Sequence, residues 1–163
     1  MIARERLQRL ARHDGYSLTE LITVISMIAI VMLVSIPPLL TYLQAEETRG
    51  AAAHLVALLQ QARQLAITRN VQHCVEFDNA NNRLRYHQMP GATACLAGAP
   101  WTGPGTDAQG WMRLDNLATL NANANPTFTP LGAATGATIT VANYHATSSL
   151  DVVVNAVGRI EIQ

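Results

Sequence analysis

Glu20 is the residue of this sequence most clearly placed to do chemistry. It is the only charged residue between Leu18 and Leu40, in a run broken otherwise only by Thr19, Thr23, Ser26, Ser35, Pro37 and Pro38. A carboxylate inside an apolar helix costs on the order of 2.5–3.5 kcal/mol on insertion scales, so it usually has a partner and a task. Cys74 and Cys95 are the only cysteines, and an even pair in an exported domain reads as a disulfide. Closing a loop of about twenty residues should contribute roughly 3 kcal/mol. Catalytic groupings are absent. His54, His73, His87 and His145 are scattered, and Ser148-Ser149 lacks the G-x-S-x-G setting of an activated nucleophile. His73 adjoins Cys74, but adjacent strand residues face opposite ways and no C-x-x-C is present, so neither metal nor cofactor is expected. The sequence does not read as an enzyme.

The elements that must position these residues begin with the apolar run. Leu21 to Leu40 carries no charge, and about twenty such residues cross a hydrocarbon core as a helix. Arg4, Arg6, Arg9 and Arg12 precede it, against Glu5 and Asp14. The positive-inside rule then places the N-terminus in the cytoplasm and the remainder outside. A secretory signal would have a shorter run followed by small residues at a cleavage site. Here the run ends in Ile36-Pro37-Pro38. A plain signal anchor fits the hydropathy but leaves Glu20 without a role. Beyond Gly15 there are seven arginines, nine acids and no lysine, a mildly acidic balance that argues against general attraction to nucleic acid or anionic lipid.

The segment Gly15-Tyr16-Ser17-Leu18-Thr19-Glu20 resembles the N-terminal signal of type IV pilins and type II secretion pseudopilins. A short basic leader ends in Gly, an aromatic residue follows, and a Glu sits five positions into the mature chain. The family usually has Phe where Tyr16 stands. The resemblance implies that prepilin peptidase cuts between Gly15 and Tyr16 and methylates the new amine on Tyr16. It also implies that Glu20 neutralises the amine of a neighbouring subunit during assembly, pairing a costly intramembrane anion with a costly cation. Pro37 and Pro38 cannot donate backbone hydrogen bonds and are expected to kink or locally melt the helix. Three parts follow: a cleaved leader at 1–15, a transmembrane and assembly helix at 16–40, and a periplasmic domain at 41–163.

Helical periodicity continues past Pro38. Leu55, Leu58, Leu59, Ala62, Leu65 and Ala66 form one apolar stripe, and the helix should end near Arg69-Asn70. Val71 to Phe77 alternates as a strand, Asp78 to Asn82 is turn chemistry, and Leu84 to Gln88 returns as a hairpin. Pro90 to Gly110 reads as a long surface loop tied down by Cys74 and Cys95. Trp111 to Leu117 reads as a short strand and Asn121 to Asn125 as a polar turn. Thr138 to Tyr144, Leu150 to Asn155 and Arg159 to Ile162 complete an antiparallel sheet. The expected class is α+β, a pilin-like fold with one long helix packed on that sheet.

Ala62-Arg63-Gln64-Leu65-Ala66-Ile67-Thr68-Arg69-Asn70, Phe128-x-Pro130-x-Gly132 and the terminal Gly158-Arg159-Ile160 are similar to the GspH/FimT family of minor pseudopilins. The resemblance implies a structural subunit of a type IV pilus or a type II secretion pseudopilus, placed at or near the filament tip. The implied partners are other minor and major pilins, prepilin peptidase and an inner-membrane assembly platform. Calcium, which some major pseudopilins bind, is not supported, because Asp107, Asp115 and Asp151 are widely separated. The rival reading is a FimT-like pilin that binds DNA through a C-terminal Gly-Arg-x-Arg pattern. Here Gly158-Arg159-Ile160-Glu161 puts an acid at the second basic position, leaving Arg159 alone as the expected DNA contact.

Overall fold

The computed structural model describes residues 17–91, 94–114 and 118–163. The chain divides into two units at Thr41 and Tyr42, each taken by itself below. The helix α1 (Leu18–Arg69) begins in the first unit and ends in the second. In the first unit every described side chain is exposed, including Leu33 at 74% and Val34 at 73%. By length and composition, α1 suffices to cross a membrane. The helix continues through Pro37 and Pro38, so of the expected kink or local melting the second is not seen, while each proline removes one donor and its ring crowds the carbonyl four residues back.

The second unit, Tyr42–Gln163, is built on the C-terminal part of α1. Ala51, Ala52, Leu55, Leu59, Ala62 and Ala66 are fully buried. Their spacing of three and four residues keeps them on one face. Four of the six are alanines, which let the strands approach the helix backbone closely. Each buried Leu contributes roughly 1.5–3 kcal/mol. Asn70 ends the helix in the left-handed region with φ 52°, and the Val71 N–H donates back to the Ala66 carbonyl. That is the asparagine cap expected from the sequence.

Two antiparallel sheets pack beside this helix face, where the sequence suggested one. In the first, β1 (Gln72–Asp78) lies between β2 (Arg83–Met89) and β6 (Thr127–Phe128). The other edge of β2 is shared by β3 (Ala99–Pro100) at His87–Gln88 and β4 (Trp111–Arg113) at Arg83–Arg85. The second sheet has the order β5 (Thr119–Ala122), β7 (Ala137–Ala142), β8 (Ser149–Val154) and β9 (Ile160–Ile162). Val75, Leu84, Tyr86, Phe128, Ile139, Val141, Val152 and Val154 from both sheets complete the core.

Two readings of local sequence are corrected, and one strand is added to them. Asn121 belongs to β5, paired with Thr140, and is not in a turn. The segment from Pro90 to Gly110 is not all loop, because it holds a 3₁₀ turn at Cys95–Ala97 and the strand β3. Thr127–Phe128 pairs with His73 and Cys74, a strand too short to show a period of its own. Side chains in the β1–β2 turn explain the first correction. Asn79 Oδ1 accepts from the Ala122 N–H at 3.1 Å and Asn82 Oδ1 from the Leu120 N–H at 3.0 Å. Asparagine amides thus satisfy the outer edge of β5, which would otherwise lack partners.

Candidate functional site

Of the residues singled out by sequence, Gly15 and Tyr16 lie outside the described residues. Glu20 sits in the first turn of α1 and is exposed. Its backbone carbonyl accepts from Thr23 Oγ1 at 2.8 Å. An acid in the first turn also complements the positive end of the helix dipole.

Cys74 and Cys95 form a disulfide with their Cα atoms 5.5 Å apart. It joins the central strand β1 to the 3₁₀ turn, and Cys74 is fully buried. Around it the hairpin carries its charges in cross-strand register. Asp78 opposes Arg83 and Glu76 opposes Arg85. Arg83 Nε donates to Asp78 Oδ2 at 2.8 Å and Arg85 Nε to Glu76 Oε2 at 2.5 Å. Both guanidiniums also lie over the Trp111 ring, 4.1 and 4.3 Å from its centroid. The arginine face of β2 is therefore already engaged by carboxylates and an indole.

His87, buried behind this pair, bridges two acceptors. Its Nε2 is 2.7 Å from Glu76 Oε2 and its Nδ1 2.9 Å from the Gly98 carbonyl. Burial alone would raise the Glu76 carboxyl, but hydrogen bonds from Arg85 and His87 outweigh it and hold the group below the usual carboxylate range. Asp78 is lowered too, first by the Asn81 amide and then by Arg83. These groups bind the loop after Met89 to the hairpin. Nothing in their arrangement offers a cleft with a nucleophile beside a base.

The C-terminal candidate, Arg159, is exposed and pairs with Glu161, Nη2 to Oε1 at 2.5 Å. Asp107 accepts the Gln109 and Trp111 N–H groups and so closes a turn. Asp151 accepts from Thr140 Oγ1 at 2.7 Å. Among the described residues, no three His, Cys, Asp or Glu side chains converge as a metal site would require.

The Ala62–Asn70, Phe128–Gly132 and Gly158–Ile160 motifs, distant in sequence, meet at one point. Arg63 Nε donates to the Gly132 carbonyl at 2.9 Å. Gly158, with φ +77°, lies so close that a Cβ there would stand 1.9 Å from the Gly132 oxygen and 3.2 Å from Arg63 Nε. A Cβ on Gly132, with φ +81°, would meet Arg63 Nη2 at 3.1 Å. Helix, β6–β7 loop and β8–β9 turn thereby meet; the left-handed backbone favours glycine at both loop positions, and at Gly158 the Gly132 oxygen leaves no room for a Cβ. Leu131 and Val157, next to these glycines in sequence, are 95% and 71% exposed.

The family model described as type II transport protein GspH matches residues 51–158. The chain belongs to the GspH family. The match includes the Arg63, Gly132 and Gly158 junction and both cysteines of this GspH-family chain, while Glu20 precedes it. Two structures of the minor pseudopilin EpsH from the type II secretion system of Vibrio cholerae are similar in fold. One is 14% identical, covers 72% of this chain and 96% of EpsH, and has a TM-score of 0.56. The other is 13% identical, covers 73% and 97%, and has a TM-score of 0.57. The type IV minor pilin FimU of Pseudomonas aeruginosa is 18% identical, covering 71% of this chain and 91% of that one, with a TM-score of 0.49. No curated protein aligns significantly with the sequence. The GspH/FimT resemblance and the α+β pilin-like fold, read first from sequence, both stand.

Proposed function

We propose that this GspH-family chain is a minor pilin or pseudopilin that works by assembly and not by catalysis. It enters the filament of a type II secretion system or a type IV pilus through its N-terminal helix, at or near the tip. Prepilin peptidase removes residues 1–15 at the Gly15–Tyr16 junction and methylates Tyr16. The helix holds the subunit in the bacterial inner membrane, N-terminus cytoplasmic and the Tyr42–Gln163 unit periplasmic, until the assembly platform moves it into the filament. Glu20 then pairs with the amine of a neighbouring pilin. One observation carries the reading: a GspH-matched β-rich unit is continuous with an apolar helix whose first turn holds a single carboxylate. Arg159 paired with Glu161, and Arg83 and Arg85 engaged by Asp78, Glu76 and Trp111, favour assembly over DNA binding.

Glu20→Ala tests it in cells carrying the partner pilins. The mature mass, starting at Tyr16, should appear for both wild type and variant. The variant should be missing from sheared or crosslinked filaments. Normal incorporation of the variant would sink the assembly role of Glu20, and an intact Met1 would sink the processing step.

A further inference from the structure

The second unit carries an exposed aromatic tip beside the point where the chain enters it. The β7–β8 turn is fastened by Asn143, whose side chain is buried. Asn143 Oδ1 accepts the N–H groups of Thr147 at 2.9 Å and Ser148 at 3.2 Å, and its Nδ2 donates to Thr147 Oγ1. Thr147 Oγ1 in turn donates to Gln44 Oε1 at 3.2 Å. The turn is thus rigid and tied to the first residues of the unit. Its remaining side chains point outward. Tyr144 is 67% exposed and stacks edge-on with His145, while Tyr42 is 60% exposed.

Chain connectivity limits how far the start of this unit stands from the apolar run. Tyr42 follows Leu40, the end of the uncharged apolar run, by two residues, and Gln44 follows it by four. They lie at most about 7 and 14 Å from Leu40 whatever direction the chain takes. Headgroups occupy roughly the first 5–8 Å beyond the hydrocarbon. Residues 143–149 contain no carboxylate. Tyr144 shares a cleft with Asn82 and the exposed Arg113. Nearby on α1, Glu46 is paired with Arg49 at 2.8 Å, and Glu47 is exposed. Tyrosine suits this boundary because its ring is apolar and its hydroxyl wet.

We propose that the Tyr144–His145 tip, with Tyr42, is a foot that rests in the headgroup layer of the bilayer before the subunit joins a filament. The proposal rests on the membrane anchoring given under Proposed function. Its occupant is the lipid surface, recognised by two exposed tyrosines and the Arg113 cation. In the free subunit the foot would fix which side of the periplasmic unit faces the membrane.

The test uses the full chain labelled with fluorotyrosine in nanodiscs of phosphatidylethanolamine and phosphatidylglycerol. The tyrosines are Tyr16, Tyr42, Tyr86 and Tyr144, assigned by single Tyr→Phe variants. Headgroup-region spin-labelled lipid is then added and fluorine spectra recorded. Tyr42 and Tyr144 should lose most of their signal, while Tyr86, buried in the core, keeps its own. Loss at Tyr42 with Tyr144 unaffected overturns the foot and leaves the anchor standing. No loss at either tyrosine overturns the anchor itself.

Discussion

Gly158→Ala should be among the most damaging single-methyl additions to this protein. Two terms contribute. At φ +77° an L-residue costs about 1–2 kcal/mol. The new Cβ would also stand 1.9 Å from the Gly132 carbonyl oxygen, a backbone atom that cannot swing aside. Relief requires the β6–β7 loop to retreat from Arg63, giving up the Nε to Gly132 bond at 2.9 Å. A hydrogen bond to a charged donor is worth about 1.5–3 kcal/mol, and partial exposure places this one at the lower end. The sum is about 3–4 kcal/mol. With a urea slope near ~1.5–2 kcal/mol/M, the unfolding midpoint should fall by about 2 M. Gly105→Ala is the matched control. It has φ +85°, but among the described residues nothing lies within 4 Å of where a Cβ would stand, so only the backbone cost of about 1–2 kcal/mol applies. The assay is urea unfolding of the full chain in detergent, followed by tryptophan fluorescence. Trp101 and Trp111, the only tryptophans, both report on the Tyr42–Gln163 unit. Equal losses for the two variants would refute the interlock.

Replacing both cysteines by serine, or reducing the pair, should cost about 3 kcal/mol by the loop-closure argument, since 21 positions separate Cys74 from Cys95. The same urea titration with and without reductant measures it, and coincident curves would count against a structural role. Acid should destabilise the unit in two stages. Burial lowers His73 below its ordinary 6.5, against the opposing hydrogen bond to the Val71 carbonyl. The unfolded chain then binds the proton more readily, so stability begins to fall once pH drops below that value. Glu76 and Asp78 are lowered from 4.5 and 3.8. Their contribution is complete above those values and is lost as pH falls through the folded-state ones. Melting temperature against pH checks both stages, and His73→Leu should flatten the first. A wild-type curve level from about pH 7 to 5 would remove the His73 assignment.

Local chemistry made several features legible in the sequence alone. A charge-free run of this length is apolar enough to cross a membrane as a helix, and that is legible from length and composition alone. The Leu55–Ala66 stripe, the Asn70 cap and the Asp78–Asn82 turn depend on neighbours within a few residues, so their spacing suffices. The cysteine pair was legible for another reason: there were only two. What sequence left open was set by contacts between distant segments. Nothing local shows that Asn79 and Asn82 will satisfy the edge of β5, or that the strands divide into two sheets. The same holds for Trp111, whose ring meets Arg83 and Arg85 only once β4 has paired with β2. The glycines had been read as a family pattern, Gly132 in one motif and Gly158 in another, with Arg63 in a third. Only the folded chain brings the three together, where backbone meets backbone at a distance that admits no side chain. Sequence determined which segments were helix and turn; packing decided which atoms had to touch, and so why a side chain at Gly158 has no room.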